Sequence, residues 1–224
     1  MSNQVPNEPD ELRRRAEKSL ADRQEEVPPT VSETDALALL RELHVSRIEL
    51  EAHKREFYQR TILAATDGKL VIEERDAIRA TAGSSLADWA VDSASGLARI
   101  REEAVALAGS LGMDQLGIMR LATCIGEATS NALKHAGGGK ASLHRLQDSL
   151  LFEVEDHGPG IGMLSIPHVA LSPGYSTAGT LGMGYKLMIV SASKVYLATG
   201  PDGTTVACEI GLRNDEPGDR PEVI

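Results

Sequence analysis

One stretch constrains the fold more than any other. DQLGIMRLATCIGEATSNALKHAGGG, residues 114–139, is followed at once by KASLHRL and SLLFEVED. Apolar residues recur in it at helical spacing, Asp114 stands where an N-cap belongs, and three glycines from Gly137 stop the helix. The next two segments read as short strands joined by a tight Gln147-Asp148-Ser149 turn. A long apolar helix running directly into an antiparallel pair needs a sheet to lie on. Upstream, SLADWAVDSASGLARIREEAVALAGSLGM reads as helix from about Ser84 to the glycines at Gly109 and Gly112. Downstream, YKLMIVSAS reads as an apolar helix, and KVYLATG with TTVACEI as a hairpin around Pro201-Asp202-Gly203. Helices first, then antiparallel strands with one more helix inserted, predict an α/β fold. Its form is a two-layer sandwich: a mixed, mainly antiparallel sheet covered on one face by helices.

Residues 1–33 are rich in Glu, Arg, Pro and Asp and predict a disordered tail, with a transient helix from Asp10 to Asp22. Residues 213–224 predict a second such tail. Between them, residues 34–85 predict a helical N-terminal region, opened by a capping signal at Ser32 or Thr34. Ala36, Leu40, Leu43, Arg47, Leu50, Lys54 and Phe57 follow steps of four and three, five of the seven being apolar. The expected amphipathic helix packs within its own chain or serves dimerisation, docking or sensing. TDGKLVIEERD adds a turn at Asp67-Gly68 and a short apolar segment whose state the pattern leaves open.

A net charge of -10 excludes the clustered basic surface that nucleic-acid backbones require. Nothing approaches the roughly 18 apolar residues of a membrane span, and the polar N-terminus is no signal peptide, so the expected location is cytoplasmic. Cys124 and Cys208 predict reduced, buried thiols. The six histidines are scattered, without zinc-ligand spacing.

Three segments carry polar groups that a plain core does not need. Glu127 and Asn131 lie four apart and share one helix face. A carboxylate beside an amide oxygen is a hard-oxygen pair suited to Mg2+ and to proton transfer, although the same residues on a helix are commonly just solvated. In EVEDHGPGIG a strand ends at Asp156, and Gly158, Gly160 and Gly162 follow at alternate positions, letting backbone approach a ligand closely. An acidic side chain there can accept from the exocyclic amine of a purine. In GTLGMGYKLM, Gly179, Gly182 and Gly184 run straight into a helix, whose N-terminal N–H groups form an anion site. It lacks the strand and the distal acid of a dinucleotide fingerprint.

Taken together, these segments resemble the GHKL superfamily of ATP-binding domains, which includes gyrase, Hsp90, histidine kinases and MutL. EATSNALKHA matches the family's N box, DHGPGIG its first glycine box and GTLGMG its second. DGTTVACEI, with Thr204 and Thr205, looks like the Gly-Thr-Thr strand that backs the adenine pocket. The resemblance covers residues 86–212 and implies a Bergerat ATP-binding fold with ATP and Mg2+ as cofactors. It implies that Asn131 holds the metal, that Glu127 is the general base, and that Asp156 binds the adenine amine. Gly158, Gly160 and Ile161 belong to the adenine turn. Gly179, Thr180, Leu181, Gly182, Met183 and Gly184 form the phosphate lid, and Thr205 lies near Asp156. Lys134 and His135 follow on the N-box helix, with His135 packing or bonding structurally.

Within the superfamily the chain is most similar to anti-sigma-factor serine kinases, from the form E-A-x-x-N-A-x-x-H and the short segment between the glycine boxes. That implies an ATP-dependent serine/threonine-protein kinase of a bacterial partner-switching pathway. Its implied partners are ATP or ADP and a STAS-domain antagonist or scaffold, with a sigma factor or phosphatase as further candidates, and a homodimer as assembly. Two other readings stand beside it. A sensor histidine kinase needs a phospho-accepting histidine on a preceding helix, for which His44 and His53 are the candidates. A nucleotide-gated binding module would hold a protein partner without chemistry.

Overall fold

A computed structural model describes residues 14–15, 17–19, 32–162, 165–166 and 184–213. The two expected tails fall almost entirely outside these residues, as do Gly179, Thr180, Leu181, Gly182 and Met183. The chain divides into two compact units, Met1–Glu51 and Ala52–Ile224.

Helix α1 runs from Glu33 to Ala65. In the first unit, Ser32 caps it: its hydroxyl accepts from the Asp35 N–H at 3.2 Å and donates to Asp35 Oδ2 at 2.7 Å. Leu37, Leu39, Leu40, Leu43, Val45, Ile48 and Leu50 are all exposed. At about 3.6 residues per turn, Leu39, Leu40, Leu43 and Leu50 fall on one side and Leu37, Val45 and Ile48 on the other. The expected one-sided seam is therefore only half of an apolar surface that runs along two sides of the helix.

In the second unit the elements after α1 are β1 (Leu70–Ile72), α2 (Arg75–Thr81), β2 (Ser84–Val91), α3 (Ala94–Ser110) and α4 (Gln115–Ala136). There follow β3 (Gly139–Arg145), β4 (Ser149–Glu155), α5 (Gly184–Ser191), β5 (Lys194–Gly200) and β6 (Gly203–Gly211). The strands form one sheet in the order β1-β5-β6-β4-β3-β2. Only β1 with β5 is parallel; the other pairings are antiparallel. This is the mixed α/β sandwich expected, with the long helices on one face.

The sheet also takes in residues read differently from the sequence. Leu70–Ile72, the segment of open state, is an edge strand. Ser84–Val91, expected to begin a helix, is strand β2, paired along β3 from Ser84 opposite Arg145 to Val91 opposite Gly139. Trp89 and Val91 point into the core on alternate positions, and pairing with β3 outweighs the helix-friendly Ala and Leu around them. The helix starts ten residues later, where Ser93 accepts from the Gly96 N–H at 3.1 Å.

Alternation along the strands sorts the two faces. Leu150, Phe152 and Val154 of β4, with Val206, Cys208 and Ile210 of β6, join the large core under α3, α4 and α5. Leu151 and Ala207 point the other way, where the short helix α2 sets Ile78 against them and Ala198. Cys124 of α4 and Cys208 of β6 are free buried thiols. Their hydrogen bond and their burial push the Cys208 thiol well above its usual value.

Candidate functional site

Helix α4 forms one wall. Its start is fixed by Asp114 Oδ1, which accepts from the Gly117 N–H at 2.6 Å, and its end by Gly137 in the left-handed region at φ 74°. Between those caps, Leu121, Cys124, Ile125, Ala128 and Ala132 are buried, which rolls the half-buried Glu127 and Asn131 toward the start of α5. A methyl group built on Gly184 would lie 2.8 Å from Glu127 Oε2 and 3.4 Å from Asn131 Nδ2. Thus the carboxylate, the amide and the first turn of α5 meet at one point. Lys134 and His135 are exposed in the last turn of α4, where positive charge complements the helix dipole. Neither makes a hydrogen bond or ion pair among the described residues.

The end of β4 forms the second wall. The Asp156 N–H donates to the Thr204 carbonyl at 2.8 Å. Asp156 Oδ1 accepts from the N–H groups of Gly158 at 2.9 Å and Thr204 at 3.1 Å. One carboxylate oxygen is thereby spent on holding the turn, and Oδ2 has no partner among the described residues. The turn itself is packed tightly. A methyl group on Gly158 would come 2.7 Å from Ala136 Cβ at the end of α4, and Gly160, at φ 69°, abuts the Gly200 carbonyl. Ile161 is tied to the neighbouring hairpin: its N–H donates to Thr199 Oγ1 at 2.6 Å, and the Thr199 and Thr204 hydroxyls lie 3.2 Å apart.

Two assignments change here. Thr205, expected beside Asp156, pairs with Glu155 on the opposite face of the sheet. Successive strand residues point to opposite sides, and Thr204, in phase with Val206 and Cys208, is the one on the Asp156 side. The Thr205 hydroxyl is buried with no hydrogen-bond partner among the described residues. Tyr185 is the residue the sequence reading passed over. It is buried directly after Gly184, and burial, then the nearby Asp156 carboxylate, hold its phenol far above the usual value. Its only sequence signal was an aromatic at the mouth of a glycine segment in a chain with 3% aromatics.

Residues 117–214 match the family described as histidine kinase-, DNA gyrase B- and HSP90-like ATPase. This segment is similar to the GHKL ATPase domains. The GHKL match begins inside α4 and ends just past β6, so it contains Glu127, Asn131, Asp156, Gly184 and Thr204. No curated protein matches the chain in sequence. Among solved structures, the Acinetobacter baumannii histidine kinase AdeS aligns at 13% identity, over 92% of this chain and 96% of that one, with a TM-score of 0.36. No described helix is long and apolar enough to cross a membrane.

Proposed function

We propose that the chain is an ATP- and Mg2+-dependent protein kinase that phosphorylates serine on a partner of the STAS antagonist class and also grips that partner. The observation that carries the reading is the convergence of Glu127, Asn131 and the α5 N-terminus at Gly184. Phosphoryl transfer asks the protein mainly to position reactants and neutralise charge, and this junction offers the parts. The oxygen of Asn131 is a hard donor suited to Mg2+, whose remaining ligands come from phosphate and water. The Glu127 carboxylate stands within reach as a base for a serine hydroxyl. Asp156 Oδ2 is left to accept from an adenine amine, with Thr204, Tyr185, Gly158, Gly160 and Ile161 around it. ATP with Mg2+, when bound, supplies the transferable phosphoryl group; the residues named here hold, orient and deprotonate.

Residues 34–85 are assigned to dimerisation, docking or sensing, consistent with apolar residues exposed on two sides of α1. The deciding experiment is incubation with labelled ATP and a candidate STAS protein, followed by phosphosite mapping. Acid-stable phosphoserine on the partner, lost in Glu127→Ala, is expected. In Asn131→Ala, the gain in ATP affinity on adding Mg2+ should vanish.

A second reading has its own observation. His44 and His53 are both exposed on α1, ahead of the GHKL domain, as a sensor histidine kinase requires. Acid-labile phosphate on either residue, with none on serine, would select it.

A further inference from the structure

The sheet face turned away from α3, α4 and α5 holds a recess of about 370 Å3, lined by Arg79, Asp88, Lys140, Ser142, His144 and Glu153 among others. Its charges are paired with one exception. Lys140 Nζ meets Asp88 at 2.8 Å, and Arg79 grips Glu155 at 2.9 Å. Glu153 has no such partner. Its side chain lines the recess, is only 6% exposed, and makes no hydrogen bond or ion pair among the described residues. Ser142 stands directly opposite it on β3. Two residues further along β3 is His144, whose Nδ1 is buried without a partner among the described residues.

Buried polar groups are almost always satisfied, and an unpaired buried carboxylate is costly. Here an unsatisfied carboxylate lines a cavity as an acceptor, while Nδ1 of the neighbouring His144 is closed to solvent. Among the lining side chains, two positive and three negative leave one negative charge, and Arg75, outside the lining, also holds Glu155 at 3.0 Å. An anion would face Glu153 and is disfavoured. A metal ion is poorly served, since no three Asp, Glu, His or Cys side chains gather suitably among the described residues. What complements the recess is a monocation that brings N–H donors.

We propose that this recess is a binding site for an organic monocation, a guanidinium or primary ammonium group, which pairs with Glu153 and lies against His144. The group belongs either to a free small molecule or to an Arg or Lys side chain of a protein partner. The site lies on the opposite face from Asp156 and does not depend on the ATP reading.

The test is an NMR titration of the 15N-labelled full chain with ethylguanidinium, against the neutral ethylurea and against sodium chloride at equal ionic strength. Expected are saturable shifts at Ser142, His144 and Glu153 with ethylguanidinium alone, and binding weakened roughly tenfold or more in Glu153→Gln. Equal shifts with ethylurea or with salt, or shifts mapping elsewhere, would overturn the proposal. The ethylurea and salt comparisons use the unsubstituted chain, so they decide the matter even if the Gln variant folds poorly. A parallel titration with an acetylated, amidated Gly-Arg-Gly peptide separates the sources. Tighter binding than ethylguanidinium assigns the site to a partner's side chain, and equal or weaker binding to a free cation.

Discussion

Gly184 and Glu127 are in contact across the α4–α5 junction, so close that a single added methyl group would stand 2.8 Å from the carboxylate. The obstacle is the far end of a flexible side chain, not backbone. Gly184→Ala should therefore fold with a stability change within about 1 kcal/mol, while pushing Glu127 off its position. If Glu127 is the base, turnover falls by about 10- to 100-fold, within the range such groups contribute. Thermal melts and phosphate-release rates on the same samples check both halves, and unchanged turnover would remove Glu127 from the chemistry.

Asp156 does two jobs with two oxygens, and substitutions can separate them. Asp156→Asn keeps Oδ1 to accept from Gly158 and Thr204 but replaces Oδ2 with a donor. Nucleotide affinity should fall about 10- to 100-fold with the melting temperature nearly preserved. Asp156→Ala should also strand two N–H groups and cost about 1–3 kcal/mol of stability. Calorimetric titration beside denaturant unfolding distinguishes them; equal affinity in the Asn variant would refute the adenine role.

The adjacent threonines should behave unlike one another. Thr205→Val replaces a buried hydroxyl that bonds to nothing among the described residues, so stability should hold or rise by up to about 1 kcal/mol with nucleotide affinity unchanged. Thr204→Val breaks the hydroxyl pair with Thr199 that braces the Ile161 turn, and affinity should drop. A fall of more than about fivefold in Thr205→Val would restore Thr205 to the nucleotide site.

Burial raises the pKa of Glu153 above its usual value, against opposing effects of His144, Arg79 and Lys140 and a reinforcing one from Glu155. A raised value in the folded state means the stability is present while the group is protonated and is lost as pH climbs through the folded value. Charged Glu153 is thus a liability at neutral pH. Glu153→Gln should raise the melting temperature at pH 7, with the gain fading as pH falls toward the ordinary glutamate value of about 4.3. A gain independent of pH would mean that packing, not charge, is responsible.

Much of this architecture was readable beforehand, and the exceptions have physical causes. Helix α4 announced itself through Asp114, an apolar stripe and Gly137, all of them local signals. Strand β2 did not, because its Ala and Leu suit a helix and only pairing with β3 makes the segment a strand. Asp156 and Gly158 were legible because a strand end followed by spaced glycines has few other uses. Which of two neighbouring threonines faces the helices depends on strand phase, which a one-residue error inverts. Tyr185 and the recess at Glu153 depend on contacts between segments far apart in the chain, and no local pattern carries them.

Glu155 and Asp156 are consecutive, yet their side chains leave the chain on opposite sides of the sheet. Arg75 and Arg79 clasp the first at 3.0 and 2.9 Å, and Gly158 and Thr204 clasp the second. One peptide unit is clamped from both directions, and half of the clamp belongs to α2, some forty residues ahead of the segment that matches the ATPase family. A fragment trimmed to residues 117–214 would keep Glu127, Asn131, Asp156 and Thr204 but lose both arginines and the edge strands β1 and β2. Such a fragment is expected to hold its nucleotide-facing end loosely, so the working boundary of this domain lies upstream of its signature motifs.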